Sequence, residues 1–210
     1  IQEVVDIPLC LDTTNVAALE AGLKRCNHKA LINSTDATEA RMNTMMPLAA
    51  KYNANLIALA LGGSGLPNTA EARLDIVMST ILPNAERYGL SPENLFLDPL
   101  VLTVNGMQDQ ATQTVTAVNY FKQVAVPSPK TTCGISNVSN GLPNENRPLL
   151  NQVFLAMMYG AGIAAPILNA MDDGLMWVVN TLDNRDGSTA KGRLYLALAD
   201  AVAAGEEFQV

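Results

Sequence analysis

At 210 residues, 49% apolar and 16% charged, the chain can bury a sizeable single core and has the composition of an ordinary soluble domain. Its 13 Lys plus Arg against 20 Asp plus Glu leave a net charge of -7, which argues against a phosphate-backbone partner held by counterion release, so nucleic acid is not an expected substrate. No apolar stretch reaches the roughly 18 residues of a membrane helix and no charged, apolar leader opens the chain, so a cytoplasmic protein with no membrane partner is expected.

The first strand is predicted over residues 7–11, in the run Pro8-Leu-Cys-Leu-Asp12. Val16, Leu19 and Leu23 then repeat on one helical face before Lys24 and Arg25, whose charges suit a helix carboxyl end. A second strand over 30–33 precedes a helix that Asp36 and Glu39 would cap ahead of Met42, Met45 and Leu48. The third strand, 55–61, runs into Gly62-Gly-Ser-Gly65, and Asn68 with Glu71 repeats the capping pair ahead of Leu74, Val77 and Met78. Ser91-Pro92 opens a short turn before a strand over 95–98, and a helix over about 109–126 ends at the breaker Pro127-Ser-Pro129. A strand over 131–136, a helix over 149–162, a strand over 166–169 and a final helix over 191–204 complete the pattern.

Strict alternation of strand and helix predicts a parallel sheet with right-handed crossovers. Four of the polar residues that close these strands stand out: Asp12, Asn33, Asp98 and, closing Cys133-Gly-Ile-Ser-Asn137, Asn137. Functional groups on the carboxyl ends of widely separated strands suit a closed barrel better than an open sheet with one switch point. The expected fold is α/β, a (β/α)8 TIM barrel that needs eight strands and typically about 250 residues. Only six strands are found, so the chain is expected to lack the first two βα units and to form one amino-terminally truncated domain over 1–210.

Capping of the next helix or turn explains any one of these polar ends as well as a binding role does. Four together, with Asp98 followed by Pro99 and not by a helix, are harder to assign to capping alone. The Gly62–Gly65 loop lacks the Lys-Ser/Thr of a phosphate-binding loop and reads as a flexible lid. Cys10, Cys26 and Cys133 have no metal-ligand spacing and are not expected to form disulfides, and His28 reads as a solvated surface residue, so no bound metal is expected. One distant His leaves no Ser-His-Asp or Cys-His arrangement near the strand ends, and Met171, Met176 and Trp177 read as packing residues.

Thr132-Cys-Gly-Ile-Ser-Asn-Val-Ser139, taken with Leu9-Cys-Leu-Asp-Thr-Thr-Asn15, Leu31-Ile-Asn-Ser34, Leu95-Phe-Leu-Asp-Pro-Leu100 and Asn146-Arg-Pro148, resembles the pterin-binding methyltransferases that act on methyltetrahydrofolate and a corrinoid protein. The resemblance runs in order from Pro8 to Asp172, and the Gly-x-Ser-Asn-Val-Ser element distinguishes this branch from dihydropteroate synthases, which carry Ser-Arg at that turn. It implies that Asp12, Asn33 and Asp98 hydrogen-bond the pterin ring, with Asp98 on the pyrimidine edge, where a carboxylate accepts two parallel bonds. It further implies that Asn137 faces N5, the nitrogen bearing the methyl group, above a floor lined by Gly134 and Ser136. Asn140 stands where a relative has Gln, and the loop 140–146 is longer than expected.

The activity implied is methyl transfer between methyltetrahydrofolate, as substrate, and Co(I) of a corrinoid (cobalamin), in either direction. The corrinoid-binding Asp-x-His-x-x-Gly signature is missing, since Cys26-Asn27 precedes His28, so a separate corrinoid protein is the expected partner. A homodimer is implied by the resemblance alone. Two alternatives stay open: pterin condensation like that of dihydropteroate synthase, against which the missing Ser-Arg counts, and a non-catalytic pterin-binding fragment.

Overall fold

The computed structural model describes residues 1–63 and 65–205. They form two compact units, one of residues 1–100 with 121–130 and the other of residues 101–120 with those from 131 onward.

In the first unit β1 (Cys10–Asp12), β2 (Leu31–Thr35), β3 (Asn55–Leu59) and β4 (Leu95–Asp98) are parallel and paired in chain order. Ile32, Leu56, Ile57, Ala58, Leu95 and Leu97 are fully buried, which is why these strands read as continuous apolar runs without alternation. Helices α1 (Val16–Leu23) and α2 (Glu39–Lys51) follow β1 and β2. Met42, Met45, Met46 and Ala49 of α2 are buried at the spacing of one helical face. The caps differ from the sequence reading. Thr69 stands at the start of α3 (Ala70–Ile76) and accepts the Ala72 N–H at 3.1 Å, so Asn68 is one residue too early. Asp36 makes an Asx turn to the Thr38 N–H (2.9 Å), and Thr38 is the residue that enters α2. A π turn (Val77–Ile81) links α3 to α4 (Leu82–Arg87). Pro83 has no N–H to continue the α ladder, and the wider turn just before it absorbs that break.

The second unit holds nearly all of α5 (Gln110–Phe121) and of β5 (Lys130–Gly134), a 3-10 turn (Ile135–Ser139), α6 (Arg147–Ala161), β6 (Ala165–Ile167), α7 (Asp173–Asp183) and α8 (Ala190–Ala204). β5 and β6 are parallel, with Thr132 opposite Ala165 and Gly134 opposite Ile167. β5 stops two residues short of the predicted end, because the backbone turns into the 3-10 segment at Ile135. α5 ends at Phe121, well before the predicted 126, and α7 is a helix the sequence reading omits. Its signals are nevertheless written in the chain: Asp172 accepts the Leu175 N–H at 3.1 Å, and Leu175, Val178 and Leu182 are buried on one face.

α6 runs through the core of this unit, burying Phe154, Leu155, Met158 and Ala161, and Gly162 at φ +82° ends it. Helices α6 and α8 approach so closely at Gly160 that a Cβ there would stand 2.3 Å from the Ala199 carbonyl oxygen. Gly160→Ala must therefore push the helices apart, at a cost of about 1–3 kcal/mol and roughly 2–4 °C in Tm for each kcal/mol. Calorimetric unfolding checks this, and an unchanged Tm would refute the close packing.

Candidate functional site

Three of the polar strand ends lie at the carboxyl-terminal edge of the first unit's sheet. Asp12 and Asn33 are register partners on β1 and β2, so their side chains leave neighbouring strands about 4.8 Å apart. Asp12 does not cap α1. Asn15 does, accepting the Ala18 N–H at 3.0 Å, and Asp12 is left exposed. β2 continues past Asn33 to Thr35, and its register against β3 shifts between Ile32 and Thr35. β3 adds no polar group, since its last residue, Leu59, pairs with Asp98.

Asp98 is set in a different environment. It is buried at the end of β4, and its Oδ1 accepts the Leu100 N–H at 2.8 Å, the only hydrogen bond to this carboxyl among the described residues. Burial pushes the carboxyl up to about 6 from its ordinary 3.8, opposed in part by that hydrogen bond. Leu100 lies at φ +63°, a left-handed conformation that costs an L-residue about 1 kcal/mol. Buried Arg73 of α3 donates from Nε to the Pro99 carbonyl at 2.7 Å and from Nη2 to the Leu100 carbonyl at 3.4 Å. The sequence reading passed over Arg73. A lone Arg in an amphipathic helix looks like a solvated charge, and nothing local marks it as buried.

In the second unit Asn137 rides on the 3-10 turn just beyond β5, exposed along with Ser136, while Val138 and Ser139 beside them are buried. Gly134 gives Asn137 its seat: a Cβ on Gly134 would lie 3.1 Å from the Asn137 Nδ2. Ser139 Oγ donates to the Ser136 carbonyl at 3.1 Å, and Arg147 Nε approaches that Oγ at 3.2 Å. Asn140 turns its N–H to the Asn137 carbonyl at 3.2 Å, and its own carbonyl accepts from Thr103 Oγ1 at 2.6 Å. The Val104 N–H to the Val138 carbonyl (2.9 Å) and Asn105 Nδ2 to the Gly141 carbonyl (3.2 Å) complete this stitching. Thr103 and Asn105 are also absent from the sequence reading, because such long-range backbone contacts leave no local pattern.

The remaining chemistry-bearing residues lie elsewhere. His28 Nε2 is 2.6 Å from Asp6 Oδ1 in an exposed pair, and the three cysteines are free, Cys10 exposed, Cys26 half-buried and Cys133 buried. Gly62 and Gly65 form a narrow bridge, and Ser64 between them lies outside the described residues. Asn169 follows β6 and folds back to the Met171 N–H at 3.0 Å, a turn-forming role.

The sequence profile of the family described as pterin-binding enzymes matches residues 1–169. Over 173 residues the chain is 31% identical to a methionine synthase of Mycobacterium tuberculosis (strain ATCC 25618 / H37Rv), covering 78% of this chain and 14% of that protein. It is 25% identical over 197 residues to a methylcorrinoid:tetrahydrofolate methyltransferase of Eubacterium limosum, covering 93% of this chain and 71% of that protein. The chain thus spans about a seventh of the one relative and under three quarters of the other. The crystal structure of Yersinia pestis dihydropteroate synthase matches with a TM-score of 0.63 at 14% identity, covering 87% of this chain and 74% of that chain. At that identity the likeness is one of fold, and it agrees with the α/β barrel class of the pterin-binding, dihydropteroate synthase-like type read from the sequence.

The raised carboxyl fixes the sign of a stability effect. A folded-state value of about 6 against 3.8 means that Asp98's contribution is fully present below pH 3.8 and is lost as pH rises through about 6. At pH 7 the buried charge costs on the order of 3 kcal/mol. Asp98→Asn keeps an oxygen for the Leu100 N–H and removes the charge, so it should raise Tm at pH 7 and leave it nearly unchanged at pH 4. Thermal melts across that range check it, and equal melting at both pH values would contradict the buried-charge assignment.

Proposed function

The chain belongs to the family of pterin-binding enzymes, and from that premise we propose that it is a methyltransferase moving a methyl group between N5 of methyltetrahydrofolate and a corrinoid carried by a separate protein. The observation that carries this reading is Asp98, a buried carboxyl that accepts one hydrogen bond among the described residues. An ionised carboxylate left so poorly solvated is costly, and a ligand edge offering two N–H donors removes that cost. The pyrimidine edge of a pterin, with its ring N–H and exocyclic amino group, is such an edge. Asp12 and Asn33, side by side on β1 and β2, add further hydrogen-bonding groups for the ring. Methyl transfer to a corrinoid is supported by the Eubacterium limosum methyltransferase, the relative matched over 93% of this chain.

In this reading Asn137 is the catalytic residue. A methyl on a tertiary amine departs only if N5 is protonated or strongly hydrogen-bonded, because the nitrogen otherwise leaves as an anion. The Asn137 amide can accept from a protonated N5 or donate to an unprotonated one, and Gly134 beneath it leaves room for the amide to follow N5 as charge changes. A preorganised group of this kind is worth about 2.7 to 4 kcal/mol by analogy with oxyanion donors. Ser136 and Asn140 flank the amide on the same turn and its exit. The corrinoid supplies a two-electron Co(I) nucleophile for in-line attack at the methyl carbon, and a homodimer is proposed from the family resemblance.

Asn137→Ala should lower methyl transfer about 10²-fold or more while methyltetrahydrofolate affinity falls less. Single-turnover transfer to a corrinoid protein and calorimetric binding separate the two effects, and unchanged turnover would remove Asn137 from N5. Asp98→Ala should instead weaken binding itself, and native affinity in that variant would remove Asp98 from the pterin edge.

A further inference from the structure

Arg73 is the most completely buried charged side chain among the described residues, and its placement is informative. It sits midway along α3, whose start Thr69 caps. Its Nε reaches the Pro99 carbonyl at 2.7 Å and its Nη2 the Leu100 carbonyl at 3.4 Å. Those two carbonyls bracket the left-handed Leu100 backbone, whose N–H in turn donates to Asp98 Oδ1 at 2.8 Å. A chain of contacts therefore runs from α3 to the carboxyl oxygen without leaving the first unit.

We propose that Arg73 is a positioning residue for pterin recognition, holding the Pro99-Leu100 turn so that the Leu100 N–H occupies one lone pair of Asp98 Oδ1 and orients the carboxylate with a free lone pair on each oxygen for the two ligand N–H groups; this rests on the pterin reading of Asp98. The planar fork matters. Guanidinium offers donors in a fixed geometry to two adjacent carbonyls, whereas an ammonium is a point charge and an apolar side chain offers nothing. Without the fork, two carbonyls beside the buried Pro99 lose their donors, and the Leu100 N–H bond to Asp98 is left to hold Leu100 at positive φ without them. Asp98 would then remain on β4, since the Ala60 N–H holds its carbonyl at 2.8 Å, but its carboxyl would no longer be aimed.

The test compares the full chain with Arg73→Met and Arg73→Lys, by methyltetrahydrofolate titration and by amide hydrogen exchange of the ligand-free protein. Arg73→Met should weaken methyltetrahydrofolate binding at least tenfold, and Arg73→Lys should recover part of the loss. In the absence of ligand the Leu100 amide should exchange at least tenfold faster in Arg73→Met, while the Ala60 amide keeps its rate. Native affinity in Arg73→Met, an unchanged Leu100 amide, or an Ala60 amide that accelerates as much as Leu100 would each overturn the proposal, the last by reducing Arg73 to general packing. Should Arg73→Met fail to fold, Arg73→Lys carries the same two readouts. A native chain that does not bind methyltetrahydrofolate would overturn the functional reading instead, and the exchange rates would still decide whether Arg73 holds the turn.

Discussion

A carboxylate that is taken out of water and given one hydrogen bond is the constraint around which this protein is arranged. Asp98 ends a strand buried on both faces, so its desolvation follows directly from the parallel sheet that carries it. The fold then spends several devices on keeping that carboxyl in place. Leu100 takes a left-handed backbone to deliver its N–H, Arg73 buries a guanidinium to hold the carbonyls on either side, and Ala60, just past β3, fixes the strand end through its N–H. The left-handed Leu100 and the buried guanidinium are each costly by themselves, and their concentration at one carboxyl is what a binding group looks like when stability is given up for preorganisation.

Asn137 is built by the opposite strategy. It is exposed on a short turn, seated over the missing side chain of Gly134, and the turn is held from the side by the Val104 N–H on the Val138 carbonyl and the Thr103 hydroxyl on the Asn140 carbonyl. A buried, hydrogen-bonded carboxyl and an exposed amide seated on a glycine fit the two tasks of the proposed reaction. Holding the pyrimidine edge requires fixed acceptors, whereas serving N5 requires a group that can adjust as the nitrogen gains or loses charge.

Much of this was legible in the sequence, and the limits have physical reasons. The strands were found because burial on both faces writes itself as uninterrupted apolar runs, and Asp12, Asn33 and Asp98 stood out because each closes such a run. Asn137 was found by its motif but placed directly at the end of a strand that was drawn two residues too long, since Ile135 is apolar in either conformation and the 3-10 turn has no distinct periodicity. The caps were displaced by one or two residues because Asp, Asn and Thr compete for the same backbone donors, and only geometry decides that Thr69 prevails over Asn68. Arg73, Thr103 and Asn105 were not legible at all. Their partners are backbone carbonyls about 26 to 37 residues away, and a carbonyl is the same in every sequence.

The proposed methyl transfer depends first on whether Asp98 meets the ligand as a carboxylate. Calorimetric titration with methyltetrahydrofolate at pH 6, in buffers of different ionisation enthalpy, counts the protons exchanged on binding. With the carboxyl at about 6, capture of its ionised form should release about half a proton at pH 6 and almost none at pH 8, and the release should vanish in Asp98→Asn. Tight binding with no proton released at either pH, or release that persists in Asp98→Asn, would contradict the account.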